Sequence, residues 1–284
     1  TGSVAEDASF GDAVMTVSIT DSTPTAILFS AGNGDGIFAI ATSGAVTIAD
    51  ATNLDYETTA SYTLTIVAYD ATSSDVESIT ISITNVNDAP TLATAQADAS
   101  TAEDALYTLD VSGNFADADV GDTLTYTATG MPSTMTMSTA GVLSGTPVNA
   151  DVGAHTVVVT ATDGTASVTD TFVVTVTNTN DAPTVTSALS DASTAEDGSY
   201  SLDASSMCTD VDVGDSLAYT MSGAPSTLSI ASGTISGTPL NADVGTHTIT
   251  VTCTDDSSAA ATASDSYVLT VTNVNDAPTF TSTA

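Results

Sequence analysis

Acidic and amide side chains recur at fixed positions along this chain. The pentapeptide Asn-Asp-Ala-Pro-Thr occurs three times, and its aspartates are Asp88, Asp181 and Asp276. An Ala-Glu-Asp triplet also occurs three times, and its glutamates are Glu6, Glu103 and Glu196. Carboxylate and amide oxygens are the ligands that calcium prefers in proteins. Such residues, gathered around proline-bounded segments, predict binding of a hard divalent cation.

These motifs lie on a long internal repeat. The three pentapeptides are 93 and 95 residues apart. Between them, Asp117-Ala-Asp119-Val-Gly-Asp122 corresponds to Asp210-Val-Asp212-Val-Gly-Asp215. Self-similarity at such a period is typical of tandem domains. We predict three units at residues 1–91, 92–184 and 185–279, with 280–284 beginning a following linker or strand.

Alternating apolar residues predict how each unit folds. Ile79, Ile81 and Ile83 alternate with serine and threonine, and Ile249, Val251 and Cys253 behave in the same way. Alternation over five to eight residues, punctuated by Gly, Asp, Asn and Pro, indicates half-buried antiparallel strands. About seven short strands in some 93 residues fit an immunoglobulin-like sandwich. The predicted fold class is therefore all-β, with three tandem Greek-key β-sandwich domains in an elongated rod.

The charge composition excludes several functions. The chain has 35 acidic residues and no lysine or arginine, which gives a formal net charge of −35. Nucleic-acid binding needs basic residues to neutralise phosphates, so it is excluded. A phosphate-binding P-loop and a Schiff-base enzyme need a lysine that is absent. No apolar run approaches the length that inserts into a membrane.

The first unit resembles a cadherin repeat. Leu54-Asp55-Tyr56-Glu57 resembles the Leu-Asp-Arg-Glu motif of that family, and Asn85-Val-Asn87-Asp88-Ala-Pro90 resembles its Asp-x-Asn-Asp-x-x-Pro linker. The second and third units resemble the dystroglycan-type cadherin-like domains of prokaryotic surface proteins. The fold that this resemblance implies is a row of cadherin-like, Ig-like sandwiches on a cell surface.

The resemblance also implies calcium ligands at each junction between units. At the first junction they are Glu6, Asp55, Glu57, Asn87 and Asp88 below, with Asp117, Asp119 and Asp163 above. At the second they are Glu103, Asp151, Asn180 and Asp181 below, with Asp210, Asp212 and Asp255 above. Asp151 is assigned by spacing, because the second and third units lack a full Leu-Asp-x-Glu motif. The third linker offers a half-site made of Glu196, Asp243, Asn275 and Asp276.

A simpler interpretation of the aspartates stays open at this point. Asp, Asn and Gly are ordinary turn residues, and acidic surfaces are common where salt is high. Against it, carboxylates about 4 Å apart repel by roughly 4 kcal/mol at an effective dielectric near 20. Seven or eight of them at one junction would push neighbouring units apart unless a divalent ion lay among them. Two cysteines and two histidines make no set with zinc spacing.

The two cysteines indicate an oxidised domain. Cys208 and Cys253 each stand two residues before an aspartate of the repeat. The aligned positions hold Ile19 and Ala68 in the first unit, with Phe115 and Ala161 in the second. Both positions therefore face the core, on two strands from different sheets. An inter-sheet disulfide fits such a pair and implies an extracellular setting, and two buried free thiols are the alternative.

These observations predict a calcium-stiffened extracellular rod. It would be a structural or adhesive segment or subunit of a surface filament or large adhesin. Its partners would be further copies or repeats joined head to tail, and a surface glycan or protein is a further candidate ligand. A secreted carbohydrate-binding accessory module is the alternative, although the chain has no tryptophan for sugar stacking. No catalytic role is expected, and His155 and His247 occupy one structural position of the repeat.

Overall fold

The chain folds into three successive β-sandwich units joined by short proline-containing linkers. The computed structural model describes residues 1–20, 24–257 and 259–279. Asp21, which repeat comparison places at the upper end of the first unit, lies outside these residues, as does the 280–284 segment. The only helices in the described ranges are three single 3₁₀ turns, at Ser112–Asn114, Asn149–Asp151 and Asn241–Asp243.

The first unit has seven strands in two sheets. They are β1 (Gly2–Ala5), β2 (Ala13–Thr16), β3 (Ala26–Ala31), β4 (Phe38–Ile40), β5 (Ala45–Ile48), β6 (Ser61–Tyr69) and β7 (Ser74–Thr84). One sheet has the order β1-β7-β6-β3 and the other β2-β5-β4. The first and last strands of the unit are parallel neighbours, whereas the sequence pattern had predicted antiparallel strands only.

The second unit has one short strand pair that the first unit lacks, formed by residues 91–92 and 115–116. Its strands are β8 (Thr91–Leu92), β9 (Ala99–Ala102), β10 (Tyr107–Asp110), β11 (Phe115–Ala116), β12 (Thr125–Thr129), β13 (Met135–Met137), β14 (Val142–Gly145), β15 (Gly153–Thr162) and β16 (Ser167–Thr177). They form sheets β12-β15-β16-β9, β10-β14-β13 and β11-β8.

The third unit repeats this arrangement strand for strand. Its strands are β17 (Thr184–Val185), β18 (Ala192–Ala195), β19 (Tyr200–Asp203), β20 (Cys208–Thr209), β21 (Ala218–Ser222), β22 (Leu228–Ala231), β23 (Thr234–Gly237), β24 (Gly245–Thr254) and β25 (Thr262–Thr272). Its sheets are β18-β25-β24-β21, β19-β23-β22 and β17-β20. Thr91 and Thr184, assigned from the sequence to the preceding unit, pair with strands of the following one.

The period-two pattern places one face of each long strand in a core. Val157, Val159 and Ala161 of β15 are fully buried, and Ile249 and Val251 of β24 are as well. Each unit has its own cluster of buried apolar side chains. The threonines between them lie on the opposite face, as strand geometry requires. Burial of alternate residues therefore holds each sandwich together on its own.

A disulfide joins two of the three sheets of the third unit. Cys208 of β20 and Cys253 of β24 are bonded, with their Cα atoms 6.6 Å apart. Both are buried, and so are Phe115 and Ala161 at the aligned positions of the second unit. The alignment was wrong for Ile19, which is 39% exposed. The first unit therefore lacks a packed counterpart at this position, because residues 17–20 form no strand.

We predict that removing this disulfide weakens the third unit alone. Closing a 45-residue separation stabilises by about 4 kcal/mol in the chain-entropy treatment. Cys208→Ala combined with Cys253→Ala should therefore lower the midpoint temperature of one thermal transition, that of the third unit, in scanning calorimetry. The first two units contain no cysteine, so their transitions are the internal control. An unchanged third transition, or equal shifts in all three, would contradict the prediction.

Candidate metal sites

Parallel pairing of the first and last strands places a glutamate beside each linker. After β1, the backbone N–H of Glu6 donates to Thr84 O, which continues the ladder by one residue. Glu103 and Glu196 extend β9 and β18 in the same way. Each carboxylate then accepts the linker's own N–H, from Val86 at 2.6 Å, Thr179 at 2.8 Å and Val274 at 2.6 Å. Strand register thus fixes the glutamate and the linker to each other.

The lower half of the first junction is a group of three carboxylates. Glu6, Asp55 and Glu57 each present one oxygen within 4.8 Å of the others. Glu6 accepts the backbone N–H of Tyr56 at 2.6 Å, which ties the Leu-Asp-Tyr-Glu segment to the glutamate. Desolvation by burial, with repulsion from Glu6, raises the pKa of Glu57. The group is therefore an anionic pocket with no positive side chain to balance it.

The upper half of the first junction is tied to the linker by hydrogen bonds. Asp119 accepts the Asn85 side-chain amide at 2.6 Å and the Asp88 backbone N–H at 2.7 Å. The Asn87 amide donates to Asp163 at 3.0 Å. Burial, followed by repulsion from Glu6 and Asp119, raises the pKa of Asp88. Residues of the linker thus contact carboxylates of the second unit directly.

The second junction repeats most of these contacts. The Asp181 N–H donates to Asp212 at 2.8 Å, and the Asn180 amide donates to Asp255 at 3.0 Å. The Asn180 hydrogen bond is the main reason that the pKa of Asp255 is lowered. Asp210 accepts the N–H of Asp212 at 3.0 Å. The Asp-x-Asp motif therefore holds the same place above both linkers.

Asp151, assigned from spacing to the second junction, is used elsewhere. Its carboxylate accepts hydrogen bonds from the Ser133 N–H and hydroxyl, the Thr134 hydroxyl and the Val148 N–H. Asp151 is buried, and although burial raises its pKa, these bonds outweigh that effect and lower the pKa to about 2. Both oxygens are thus occupied inside the second unit, and we leave Asp151 out of the ligand set.

Asp243 is the counterpart of Asp151 in the third unit. It accepts the Leu240 N–H at 2.9 Å and the Thr227 hydroxyl at 2.8 Å, and the first of these bonds is the main reason that its pKa is lowered. Asp243, like Asp151, therefore stabilises a loop, and we omit it from the half-site at the third linker.

Three residues that the sequence analysis passed over lie at the junctions. The side-chain amide of Asn149 donates to Asp181, and that of Asn241 donates to Asp276 at 3.0 Å. Asp215 lies within 4.8 Å of Asp210 and Asp212, measured between one oxygen of each. The sequence could have indicated these residues, because the tripeptides Asn-Ala-Asp and Val-Gly-Asp each recur at the same position of the second and third units.

Buried carboxylate oxygens without hydrogen-bond donors concentrate at these junctions. Six such atoms occur among the described residues, and every one belongs to a residue of the sets above. They are Glu57 Oε2, Glu103 Oε2, Asp117 Oδ2, Glu196 Oε2, Asp210 Oδ2 and Asp212 Oδ1. Glu103 and Glu196 are 1% and 2% exposed. A buried anionic oxygen with no partner is costly, so this donor set fits a hard cation.

The third linker keeps the same lower half. Glu196 has one oxygen on the Val274 N–H and the other without a donor. Asn275 donates to the Asp276 carbonyl at 3.2 Å. Within residues 259–279 the linker therefore has the arrangement of the second linker, where Glu103 also keeps one oxygen without a donor.

The histidines have structural contacts. Nε2 of His155 lies 2.7 Å from the Asp151 carbonyl oxygen, and Nε2 of His247 lies at the same distance from that of Asp243. Each imidazole N–H thus donates to the backbone of the loop that the aspartate stabilises. This repeated contact accounts for both histidines.

Two family models together match almost the whole chain. A model described as "Putative Ig domain" matches residues 89–177 and 182–272. A model described as "Cadherin domain" matches residues 1–86. The chain belongs to the Ig domain family. It is a tandem repeat of two Ig-like domains that follow a cadherin-like one.

Solved structures with the same fold include cadherin ectodomains. Protocadherin Gamma B2 extracellular domains 1–5 superpose with a TM-score of 0.66 at 21% identity, covering 96% of this chain and 59% of that one. Mouse Cadherin-23 EC22–24 gives 0.64 at 18% identity, covering 96% and 95%. At this identity the likeness establishes the fold of the Ig-like repeat and nothing about its ligands.

Curated relatives of the Ig-like repeat include proteins named as adhesins. The "Serine-rich adhesin for platelets" of Staphylococcus aureus strain MRSA252 is 36% identical over 159 residues, which is 54% of this chain. The same adhesin of strain MSSA476 matches over the same length. The chain spans only 11% and 7% of these two proteins. Within the described residues, no helix has the length and apolar character needed to span a bilayer.

We predict that Asp151 stabilises the second domain in a pH-dependent manner. Its pKa in the folded state, about 2, is below the ordinary value of 3.8, so its contribution is complete at neutral pH and is lost as the pH falls from about 5 to about 2. Asp151→Asn should lower the free energy of unfolding by about 2 kcal/mol at pH 7.

The control for this prediction is Asp110→Asn. Asp110 is exposed and accepts hydrogen bonds only from Ser112 within its own turn, so we expect a loss below about 0.5 kcal/mol. Urea unfolding at several pH values measures both variants. A loss for Asp151→Asn that stays constant down to pH 2 would contradict the assignment.

Proposed function

We propose that this chain is a calcium-stiffened segment of an extracellular surface protein with a structural or adhesive role. The observation that carries the proposal is the set of six buried carboxylate oxygens without donors at the three linkers. The proposed ligands come from Glu6, Asp55, Glu57, Asn87, Asp88, Asp117, Asp119, Asp163, Glu103, Asn180, Asp181, Asp210, Asp212, Asp255, Glu196, Asn275 and Asp276.

Electrostatics supports a cation at each linker. The oxygens of Glu6, Asp55 and Glu57 lie within 4.8 Å of one another, a separation at which each pair repels by several kcal/mol at an effective dielectric near 20. With no lysine or arginine in the chain, no side chain except a protonated histidine could offset this repulsion. Calcium takes six to eight oxygen ligands in irregular geometry, so it suits carboxylates supplied by two domains and a linker.

A bound ion would act on the angle between domains. Asn87 and Asp88 of the linker already contact Asp163 and Asp119 of the following domain. An ion shared by the glutamate below and the Asp-x-Asp motif above would add bonds that only one interdomain angle satisfies. We propose that the three units behave as independent bodies without calcium and as one stiff body with it.

An extracellular setting is supported by two separate features. A buried disulfide joins Cys208 and Cys253, and disulfides persist in oxidising compartments. The curated relatives are named as adhesins, which supports an adhesive partner, a glycan or a protein, for the longer protein. The half-site at Glu196 and Asp276 would join a further repeat or another copy head to tail. No catalytic function is proposed.

We predict that calcium raises the thermal stability of the chain. Ions that bind only the folded state stabilise it by mass action, so millimolar calcium should raise the melting temperature by several degrees above that in chelator. Magnesium at the same concentration is the control for ionic strength, because it needs a tighter octahedral site. Equal melting in calcium, magnesium and chelator would contradict the proposal.

We also predict which carboxylates are responsible. Glu57→Gln and Glu103→Gln each remove the negative charge of a carboxylate that has a buried oxygen without a donor. Each variant should raise the calcium concentration at half-saturation of its own junction by about tenfold. Glu77→Gln is the matched control, since Glu77 is an exposed residue of β7. Calorimetric titration measures all three. Equal binding by the two linker variants and the control would overturn the ligand assignment.

A further inference from the structure

The two Asp-x-Asp motifs differ in their free oxygens. At the first junction both oxygens of Asp119 are occupied, Oδ1 by the Asn85 amide at 2.6 Å and Oδ2 by the Asp88 N–H at 2.7 Å. At the second, Asp212 Oδ2 accepts the Asp181 N–H, whereas Oδ1 is buried and no donor among the described residues reaches it. Asp212 is 5% exposed, so water does not supply the missing partner freely.

A third carboxylate lies beside the Asp-x-Asp motif of the last domain. Asp215 lies with Asp210 and Asp212 in a group whose oxygens are within 4.8 Å of one another. Asp210 Oδ2 is also buried without a donor. The described residues hold one other such group, at Glu6, and it does not include Asp117. Two of the three carboxylates in this group, Asp210 and Asp212, therefore each have a buried oxygen that a cation would satisfy.

A local contact accounts for the position of Asp215. The next residue, Ser216, donates its backbone N–H and its hydroxyl to Asp256, at 3.2 and 2.7 Å. The counterpart of Asp256 in the second domain is Gly164, which has no side chain to accept such bonds. Asp122, the counterpart of Asp215, is exposed. The turns themselves are alike, since the N–H of each aspartate donates to the second Asp-x-Asp carbonyl.

We infer that Asp215 is a calcium ligand together with Asp210 and Asp212, and that this site fills at a lower calcium concentration than its counterpart around Asp117 and Asp119. The inference rests on the proposed function and adds to it a ligand and an order of filling. Three carboxylates with two unpartnered oxygens attract a divalent ion more strongly than two carboxylates with one, since Asp117 Oδ2 is unpartnered but Asp119 is already hydrogen-bonded at both oxygens. Asp255 and Asp256 add negative charge beside the site.

A residue-resolved titration tests this order. Gly214 directly precedes Asp215, and Gly121 directly precedes Asp122. Their amide signals are followed by nuclear magnetic resonance while calcium chloride is added to the full chain. In the parent chain the Gly214 signal should reach its midpoint at the lower concentration. In Asp215→Asn the Gly214 midpoint should rise by about tenfold, while the Gly121 midpoint stays within twofold.

Asp122→Asn is the matched control and should leave both midpoints within twofold. Asp215→Ser serves as a second variant, and spectra in chelator establish that each variant keeps its fold. An unchanged Gly214 midpoint in both Asp215 variants, or a Gly121 midpoint at or below that of Gly214 in the parent chain, would overturn the inference and leave the proposed function standing. If no amide at either junction responds to millimolar calcium, the proposed function itself fails.

Discussion

Buried anionic oxygens without donors are the constraint that sets the linkers of this chain apart from its other acidic residues. A chain with no lysine or arginine can satisfy a buried carboxylate only with backbone amides, hydroxyls and side-chain amides, or with a cation. Asp151 is satisfied in the first way, by four hydrogen bonds from Ser133, Thr134 and Val148. Glu103 and Glu196 are not, because each keeps one buried oxygen free. That difference distinguishes Asp151, whose hydrogen bonds lie within one domain, from the glutamates that lie at the second and third linkers.

The fold and the linkers depend on each other through strand register. Parallel pairing of the first and last strands brings each Ala-Glu-Asp glutamate to the start of a linker, where it accepts a linker N–H. The asparagine and aspartate that follow then reach the next domain. A shift of one residue in either strand would turn the glutamate to the other face of the sheet. Sandwich packing and junction chemistry are therefore set by the same pairing.

Much of the fold and of the candidate site could be predicted from the sequence, because the strands follow from alternating apolar residues and the linkers from repeated motifs. Alternation of Ile79, Ile81 and Ile83 indicates a strand without reference to any other part of the chain, and the recurring motifs mark the linkers. The parallel pairing of β1 with β7 could not be predicted, because alternation reports the face of a strand and not its neighbour. The occupied state of Asp151 was missed for a related reason. Its partners Ser133 and Thr134 are 17 to 18 residues away, and only the folded sheet brings them together.

The difference between the two Asp-x-Asp motifs was also hidden in the sequence. Asn85 and Asn178 are identical at the aligned position, yet only Asn85 donates to its aspartate. Where the second unit has Gly164, the third has Asp256, which accepts a hydrogen bond from Ser216 beside Asp215. This contact joins segments 40 residues apart. Repeats that match in sequence can thus differ in the chemistry of their junctions.

Small-angle X-ray scattering from the same sample in calcium and in chelator tests the central claim most directly. If cations at the linkers fix the angles between domains, the calcium sample should have the larger maximum dimension and a scattering curve that one rigid arrangement of the three domains fits. The chelated sample should need a distribution of bent arrangements. Superimposable curves under both conditions would contradict the account.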